Sequence, residues 1–592
     1  MSGSEENSKN LISKADSKKL DEARSLVNVK NYNKATRILN DLIENNTDLA
    51  EAFYLLGMCY KNEAKYLDAA TMFTKAIHFA ADIAEYYSML AFSHANMGSL
   101  SLSEKNYGQA LKIDEFNLSA LTGLGRIYYD KGELELAKKL FSQAIEVEPS
   151  IVETLILLAL IFSDLGDYQQ ALIYANKAVK QDVNNSNAMG IVGRVHLVGG
   201  NVTEAIKCFQ KAIQLDHTNG MAYLDFVSNQ KVKDKNNPII KKMEKILSSS
   251  LSTINRQTIH FALGKSYNDC KEWDLAMNNF SKGNLLLPTS FDKKDISIFA
   301  KDIKKIFSPR LFDKLKNYGN RTISPIFIIG MPRSGSTLID QVLSSHSDID
   351  SVGESKKISD LIDRDNEEKN IFPYFMKKIT EDTINRYATE YSKYLRDNSN
   401  GASLIVNKML SNYFYLGFIA VLFPKAKIIH SMRHPLDSSI SSFFTNFVSN
   451  GNDNEWRSSL KNIGFYYKQY NDLMIHWKKV LPIKILDVNY EDMVVNLEPK
   501  AREIIGFCGL EWESQCLDFY KSKRSVQTAS VSQVRQPIYQ SSLSRWPPYA
   551  KYLGPLVEEL GDIVEGDYEQ LRKSGCEFKV KKPSLIKHLF KD

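Results

Sequence analysis

Cysteine is scarce and scattered. Cys59, Cys208, Cys270, Cys508, Cys516 and Cys576 form no C-x-x-C pair. That spacing excludes a zinc cage and the paired framework of a disulfide-stapled domain, and leaves reduced thiols. A surplus of one charge is also lacking. Lys and Arg number 76 against 70 Asp and Glu, a net of +6 over 592 residues, and so near a balance gives nucleic acid no electrostatic footprint. No apolar run reaches the roughly 20 residues that span a bilayer. The strongest, Tyr413 to Phe423, is too short, and the opening MSGSEENSKN has no apolar signal segment. No Asp-rich cluster marks a metal site. The expectation is a cytoplasmic protein with no membrane segment, no nucleic-acid partner and no metal.

Apolar residues make up 43% and charged residues 25%, the balance of an ordinary globular protein. The length exceeds what one core organises, so two or more domains are expected.

The first half repeats. Alanine stands at Ala35, Ala69, Ala137, Ala171 and Ala205, with Ser103 in the remaining slot, at steps of 34 residues. Seven residues on come Leu42, then Ala76, Ala110, Ala144, Ala178 and Ala212. Aromatics recur at Phe73, Tyr107, Phe141 and Phe209, and small residues at Gly57, Ala91, Gly125, Ala159 and Gly193. A further copy follows a gap, with Leu263, Gly264, Tyr267, Ala276, Phe280 and Pro288. Antiparallel helices approach closely only where side chains are small, and a bulky residue fills the space between one pair and the next. The pattern resembles tetratricopeptide repeats. It implies an all-α solenoid over residues 16–290, irregular at 221–256, where Lys231 to Pro238 reads as a charged loop. The groove of such a solenoid suits a protein or peptide partner. The plainer reading is a scaffold or a dimerisation arm.

From Ser324 the texture changes. Pro325-Ile-Phe-Ile-Ile-Gly330 has the β-branched character of a buried parallel strand. Met331-Pro-Arg-Ser-Gly-Ser-Thr337 follows, then a helical run from Leu338 to His346. Strand, glycine-bearing loop and helix make an anion cradle, with backbone N–H groups and a helix N-terminus aimed at the ligand. Gly330 and Gly335 have the separation of a nucleoside-triphosphatase loop, but Ser336 stands where its lysine would be. That loss argues against ATP or GTP hydrolysis, and Arg333 supplies a cation inside the loop instead. Two ligands stay open on these residues: a nucleotide whose 5′-phosphate carries a sulfonate, and a triphosphate in a degenerate loop.

The loop resembles the 5′-phosphosulfate-binding motif of sulfotransferases, and further segments continue the likeness in order. Val352-Gly353-Glu354 is similar to the Gly-Glu motif of tyrosylprotein sulfotransferases and bacterial repeat-fused sulfotransferases. Ile405-Val-Asn-Lys-Met409 resembles the next strand and its lysine, and Phe423 to Asp437 the 3′-phosphate-binding segment. Val488-Asn-Tyr-Glu-Asp492 resembles a further strand end; Gln533-Val-Arg-Gln-Pro537 and Ser544-Arg-Trp546 resemble the closing segment. The resemblance spans roughly residues 322–555. It departs at Asn407, where repeat-fused enzymes usually have Asp, and at His434, where Asp often follows the arginine.

The resemblance implies transfer of a sulfuryl group from 3′-phosphoadenosine 5′-phosphosulfate to an acceptor hydroxyl on a protein tyrosine, a glycan or a lipid. Glu354 becomes the general base that takes the acceptor proton; the bland reading is a surface glutamate. Lys408 follows the strand Leu404–Val406, at the edge where open α/β sheets bind ligands, and would stabilise charge on the leaving phosphate. Arg333, counted with the catalytic groups, offers two oxygens its planar fork, and Ser334, Gly335, Ser336 and Thr337 add N–H groups and hydroxyls. Arg433, after the strand Lys427–Met432, and Ser441 would hold the 3′-phosphate. Tyr490 and Arg545 are expected at nucleotide contact and lid closure. His346 and His434 read as structural. The stretch Asn412–Phe423 reads as a core helix.

The expected architecture is therefore multidomain: a polar tail at 1–15, the solenoid at 16–290, a helical connector at 291–321, an α/β P-loop-like sulfotransferase domain with a parallel sheet at 322–555, and a C-terminal helical tail at 556–592. Competing readings are a non-catalytic repeat adaptor with a nucleotide-binding domain, and a P-loop kinase. The kinase would need a lysine near position 336 and a carboxylate for Mg²⁺ at a neighbouring strand end.

Overall fold

A computed structural model describes residues 13–45, 47–287, 291–364, 371–399, 401–446, 452–521, 534, 538 and 543–579. Contacts divide the chain into two compact units, Met1–Val183 and Asn184–Asp592.

The first unit is a series of antiparallel helix pairs, among them Ala50–Asn62 with Tyr66–Phe79 and Leu118–Asp130 with Leu134–Val147. In these two pairs the small residue lies under the ring sixteen positions later. A Cβ on Gly57 would come within 2.6 Å of Phe73, and one on Gly125 within 3.0 Å of Phe141. Ser103, in an alanine slot, is fully buried and donates its hydroxyl to the Ala91 carbonyl at 2.8 Å. That bond removes the cost of a buried O–H. In the same unit, burial pushes the Asp164 carboxyl up to about 7, against a bond from the Tyr129 hydroxyl.

The second unit opens with three more repeat helices: Ser186–Val198, Val202–Leu215 and Gly220–Asn229. Residues 230–237 are non-helical, and Pro238–Leu247 begins with proline in the first turn, where no N–H is missed. Thr253–Asp269 and Trp273–Leu285 form the last pair; Pro288 lies outside the described residues. Helices Lys293–Ile306 and Pro309–Leu315 lead to the sheet.

The sheet is fully parallel, in the order β2-β3-β1-β4-β5, with β1 Ile326–Gly330, β2 Ile349–Ser351, β3 Leu404–Asn407, β4 Lys427–Met432 and β5 Ile485–Asn489. Register pairs Ile326 with Val406 and Ile328 with Ile429. Ile326 and Ile328 face one core, with Val342 and Ile504; Phe327 and Ile329 face the other. This second core runs unbroken into the last repeats, taking in Phe209, Phe261 and Phe280. Phe280 stacks on Phe444 at 4.1 Å, Trp273 meets Tyr549 edge-on, and the Asn284 amide donates to the Phe443 carbonyl at 2.8 Å.

The stretch Asn412–Phe423 is buried except at the half-buried Tyr415, but it is not one helix. A 3₁₀ turn, Leu410–Phe414, gives way to the α-helix Leu416–Leu422. The Trp477 indole N–H donates to the Tyr413 carbonyl at 2.7 Å, diverting it from the helical ladder.

Candidate active site

In a parallel sheet every strand ends on the same edge, and ligands bind where the order of connections reverses. Here β1 lies between β3 and β4, so the loop leaving β1 is flanked by Lys408 on one side and Arg433 on the other.

The loop is tightly determined. Gly330, Arg333 and Gly335 all have positive φ, at 150°, 66° and 94°. A Cβ on Gly335 would strike the Tyr490 ring at 2.3 Å, so the close approach requires glycine. Ser336 starts the helix Ser336–Ser344, and Ser334, Ser336 and Thr337 are buried beneath the loop. The Ser334 and Ser431 hydroxyls bond to each other at 3.1 Å, which ties the loop to β4.

One basic cluster forms around it. Arg333 donates through Nε to the Ser441 hydroxyl at 3.2 Å, and Arg433 donates to the Arg333 carbonyl at 3.2 Å. The Arg433 guanidinium lies 4.8 Å from the centroid of the Tyr490 ring. Burial lowers the Arg433 pKa and the like charge of Arg545 adds to that, while Asp437 and Glu491 oppose it. Arg333, Arg433, Ser441, Tyr490 and Gly335 are thus brought together, with Arg545 near enough to be felt.

Glu354 and Lys408 form a second cluster on the β3 side. Lys408 Nζ lies 2.6 Å from Glu354 Oε1; the lysine side chain is 2% exposed and the glutamate 47%. A buried cation therefore sits on a carboxylate open to solvent. The Lys408 N–H also donates to the Gly353 carbonyl, which fixes the two strand ends against each other. The departure at Asn407 acquires a use. Its buried amide donates to the Ser355 carbonyl at 3.1 Å and to the Tyr391 hydroxyl at 3.0 Å, and its oxygen accepts from Asn412. An aspartate here could not donate to the carbonyl beside Glu354.

The two histidines are committed elsewhere. His346 Nδ1 accepts from the Asp348 N–H, so Nε2 carries the proton and donates to the Glu511 carbonyl. His434 stacks on Trp546 and lies 3.3 Å from Asp567.

Ser431, Asp437 and Glu491 escaped sequence reasoning. Asp437 accepts the backbone N–H groups of Arg545 and Trp546, and Glu491 accepts the N–H of His434. An acidic residue in a helix's first turn is ordinary dipole chemistry, so the sequence carried no sign of these bonds. Gln533, Arg535, Gln536 and Pro537 lie outside the described residues. Among the described residues no group of three or more His, Cys, Asp or Glu could hold a metal ion, and no helix is long and apolar enough to cross a membrane.

Residues 325–514 match the sulfotransferase family; residues 118–151 and 156–219 match tetratricopeptide repeats. The chain thus joins repeats to a sulfotransferase-family domain. An uncharacterized protein of Aquifex aeolicus (strain VF5) is 33% identical over 331 residues, 54% of this chain and 44% of that protein. A protein-tyrosine sulfotransferase of Drosophila melanogaster is 22% identical over 268 residues, 41% of this chain and 51% of the relative. The chain spans about half the length of these curated relatives. Among solved structures, YrrB, a tetratricopeptide-repeat protein, is 20% identical with a TM-score of 0.26, covering 29% of this chain and 88% of its own.

Proposed function

We propose that the chain transfers a sulfuryl group from 3′-phosphoadenosine 5′-phosphosulfate to an acceptor hydroxyl, and that its repeats recruit the acceptor or a partner protein. The observation that carries this reading is the convergence of Arg333, Arg433 and Ser441 around a glycine loop that lacks the triphosphatase lysine. A donor with phosphate at both ends of its ribose needs separate cations for each, and ATP has no group for the second. The match of residues 325–514 to the sulfotransferase family supports the same chemistry.

On this reading Arg333 and the N–H groups of the Ser334–Thr337 segment orient the 5′-phosphosulfate, while Arg433 and Ser441 take the 3′-phosphate. The acceptor oxygen attacks sulfur in line. An O–S bond forms, the bond from sulfur to the bridging phosphate oxygen breaks, and that oxygen leaves with the electron pair. Glu354 receives the acceptor proton. Lys408, already at its side, turns toward the bridging oxygen and stabilises its charge. The products are a sulfate ester and 3′-phosphoadenosine 5′-phosphate. Extended repeat grooves commonly hold peptides, which favours a protein among the acceptor classes of protein, glycan and lipid. The free thiols fit a reducing compartment, and the cytoplasm is the proposed location.

Thermal unfolding with 3′-phosphoadenosine 5′-phosphate or with ATP tests the donor, because a ligand that binds only the folded state raises its stability. Stronger stabilisation by ATP would overturn the reading in favour of a kinase. Labelled donor incubated with a lysate, then fractionated into protein, glycan and lipid, identifies the acceptor. Glu354→Gln should keep product-nucleotide binding and lose transfer, and Arg433→Ala should weaken binding. Nucleotide binding with no transfer to any fraction would leave an adaptor instead of an enzyme.

A further inference from the structure

We infer that Asp437 is a positioning residue that fixes the backbone at Arg545 and so holds that residue near Arg433. The inference rests on the donor reading above.

Asp437 is 2% exposed. A buried carboxylate is costly unless strong hydrogen bonds replace its water. Here one oxygen, Oδ1, accepts two consecutive backbone N–H groups, from Arg545 at 2.7 Å and Trp546 at 2.9 Å. Two such bonds to one atom fix both the position and the direction of the chain as it passes. The approach is a bent one: Ser544, just before it, has a φ of 49°, a conformation that costs about 1–2 kcal/mol for a non-glycine residue and persists only where its surroundings hold it. The Trp546 side chain is buried, and the His434 ring lies nearly parallel to it at 12°. His434 also reaches Asp567 at 3.3 Å. His434 and Asp437, at the start of one helix, thereby both contact the segment.

The helix Pro435–Phe443 follows Arg433 directly. Ser441, one turn beyond Asp437, meets Arg333. A single short helix thus presents one residue to the glycine loop and another to the backbone of Arg545. The charge arrangement agrees. Arg545 lies close enough to Arg433 for their like charges to interact, and the Asp437 carboxylate offsets that repulsion. A phosphate arriving between the two guanidinium groups would meet both.

The test is a double-mutant cycle on the full chain, read as the dissociation constant of 3′-phosphoadenosine 5′-phosphate, with hydrogen exchange at the amides of residues 545 and 546. Asp437→Ala and Arg545→Ala should each weaken binding by about tenfold or more, and the double variant should be little worse than the weaker binder of the two. Exchange at the two amides should rise in Asp437→Ala. Losses that multiply, unchanged affinity in Asp437→Ala, or amides that stay protected would each overturn the inference. Should alanine at 437 prevent folding, the cycle is run with Asp437→Leu, which keeps the bulk, removes the accepting oxygen and is held to the same outcomes. If the parent chain binds no product nucleotide, the donor reading fails, while the exchange measurement still decides whether Asp437 holds the segment.

Discussion

Removing one ring from the last repeat should lower the melting temperature of the whole second unit. Phe280 is 2% exposed, and it lies between Phe261 of its own helix pair and Phe444, which follows the helix bearing Ser441. Phe280→Ala therefore opens a cavity in a core shared by the repeat and the sheet domain. Such truncations cost about 3–5 kcal/mol. A cooperative unit of about 400 residues unfolds with an entropy near 2.1 cal/mol/K per residue, or about 0.85 kcal/mol/K in total. A loss of about 4 kcal/mol then moves the midpoint down by about 5 °C. The assay is thermal unfolding followed both by far-UV circular dichroism and by loss of product-nucleotide binding, with Leu285→Ala as control. Leu285 is on the same helix but is 76% exposed, and its removal should shift nothing measurable. Both signals should fall together in Phe280→Ala. A variant whose helical signal melts early while nucleotide binding persists to the parent's temperature would refute a shared core.

Gly335→Ala should weaken product-nucleotide binding more than tenfold by isothermal titration, because the new methyl meets the Tyr490 ring at 2.3 Å and that ring carries Arg433. Asn407→Asp should slow transfer with little change in nucleotide affinity, since it turns a donor to the Ser355 carbonyl into a second acceptor beside Glu354; kcat and donor affinity measured together separate the two effects. Asp164→Asn should stabilise the first unit at pH 8 and not at pH 4, by thermal unfolding at each pH. The folded carboxyl titrates at about 7 against an ordinary 3.8, so between those values the folded state holds a proton that the unfolded state has released. Its contribution is then lost as pH rises through that window, by on the order of a few kcal/mol, and an amide has no proton to lose.

What the sequence showed of the fold follows from what is periodic in it. The 34-residue step of Ala35, Ala69 and their successors exists because every helix pair must repeat one close approach, and Gly57 under Phe73 is the same contact as Gly264 under Phe280. Four of the five strand ends were legible: those of β1, β3 and β4 as short, largely apolar runs with a chemically distinctive residue just past them, and that of β5 by resemblance. The short β2, with Asp350 at its centre, was not read as a strand. The bonds between side chains and distant backbone were not legible. Asp437 reaches Arg545 and Trp546, and Trp477 takes the Tyr413 carbonyl. Such bonds depend on where two remote segments meet and leave no spacing behind. Asn407 was noticed as a departure, but its partners Ser355 and Tyr391 belong to other elements, so its use was visible only in three dimensions.

Confining several cations to one edge of a sheet raises an electrostatic difficulty before any donor arrives, and the way it is met bears on selectivity. Each cation has a resident oxygen: Ser441 for Arg333, the Arg333 carbonyl for Arg433, and Glu354 for Lys408. Two of these partners are neutral dipoles, which a phosphate oxygen outcompetes because a charge-assisted bond is roughly twice as strong. The third is a full carboxylate on the far side of the loop, where the proposed chemistry needs a base. On the proposed function, the exchange of partners is therefore favourable at the 5′- and 3′-phosphates. At Lys408 it is nearly balanced, because leaving Glu354 costs an ion pair and only the developing charge on the bridging oxygen repays it. A nucleotide without a 3′-phosphate would, on the proposed function, forgo a charge-assisted bond at Arg433. On the proposed function, the β4 side of the loop would select the donor, and the β3 side would respond to the transition state.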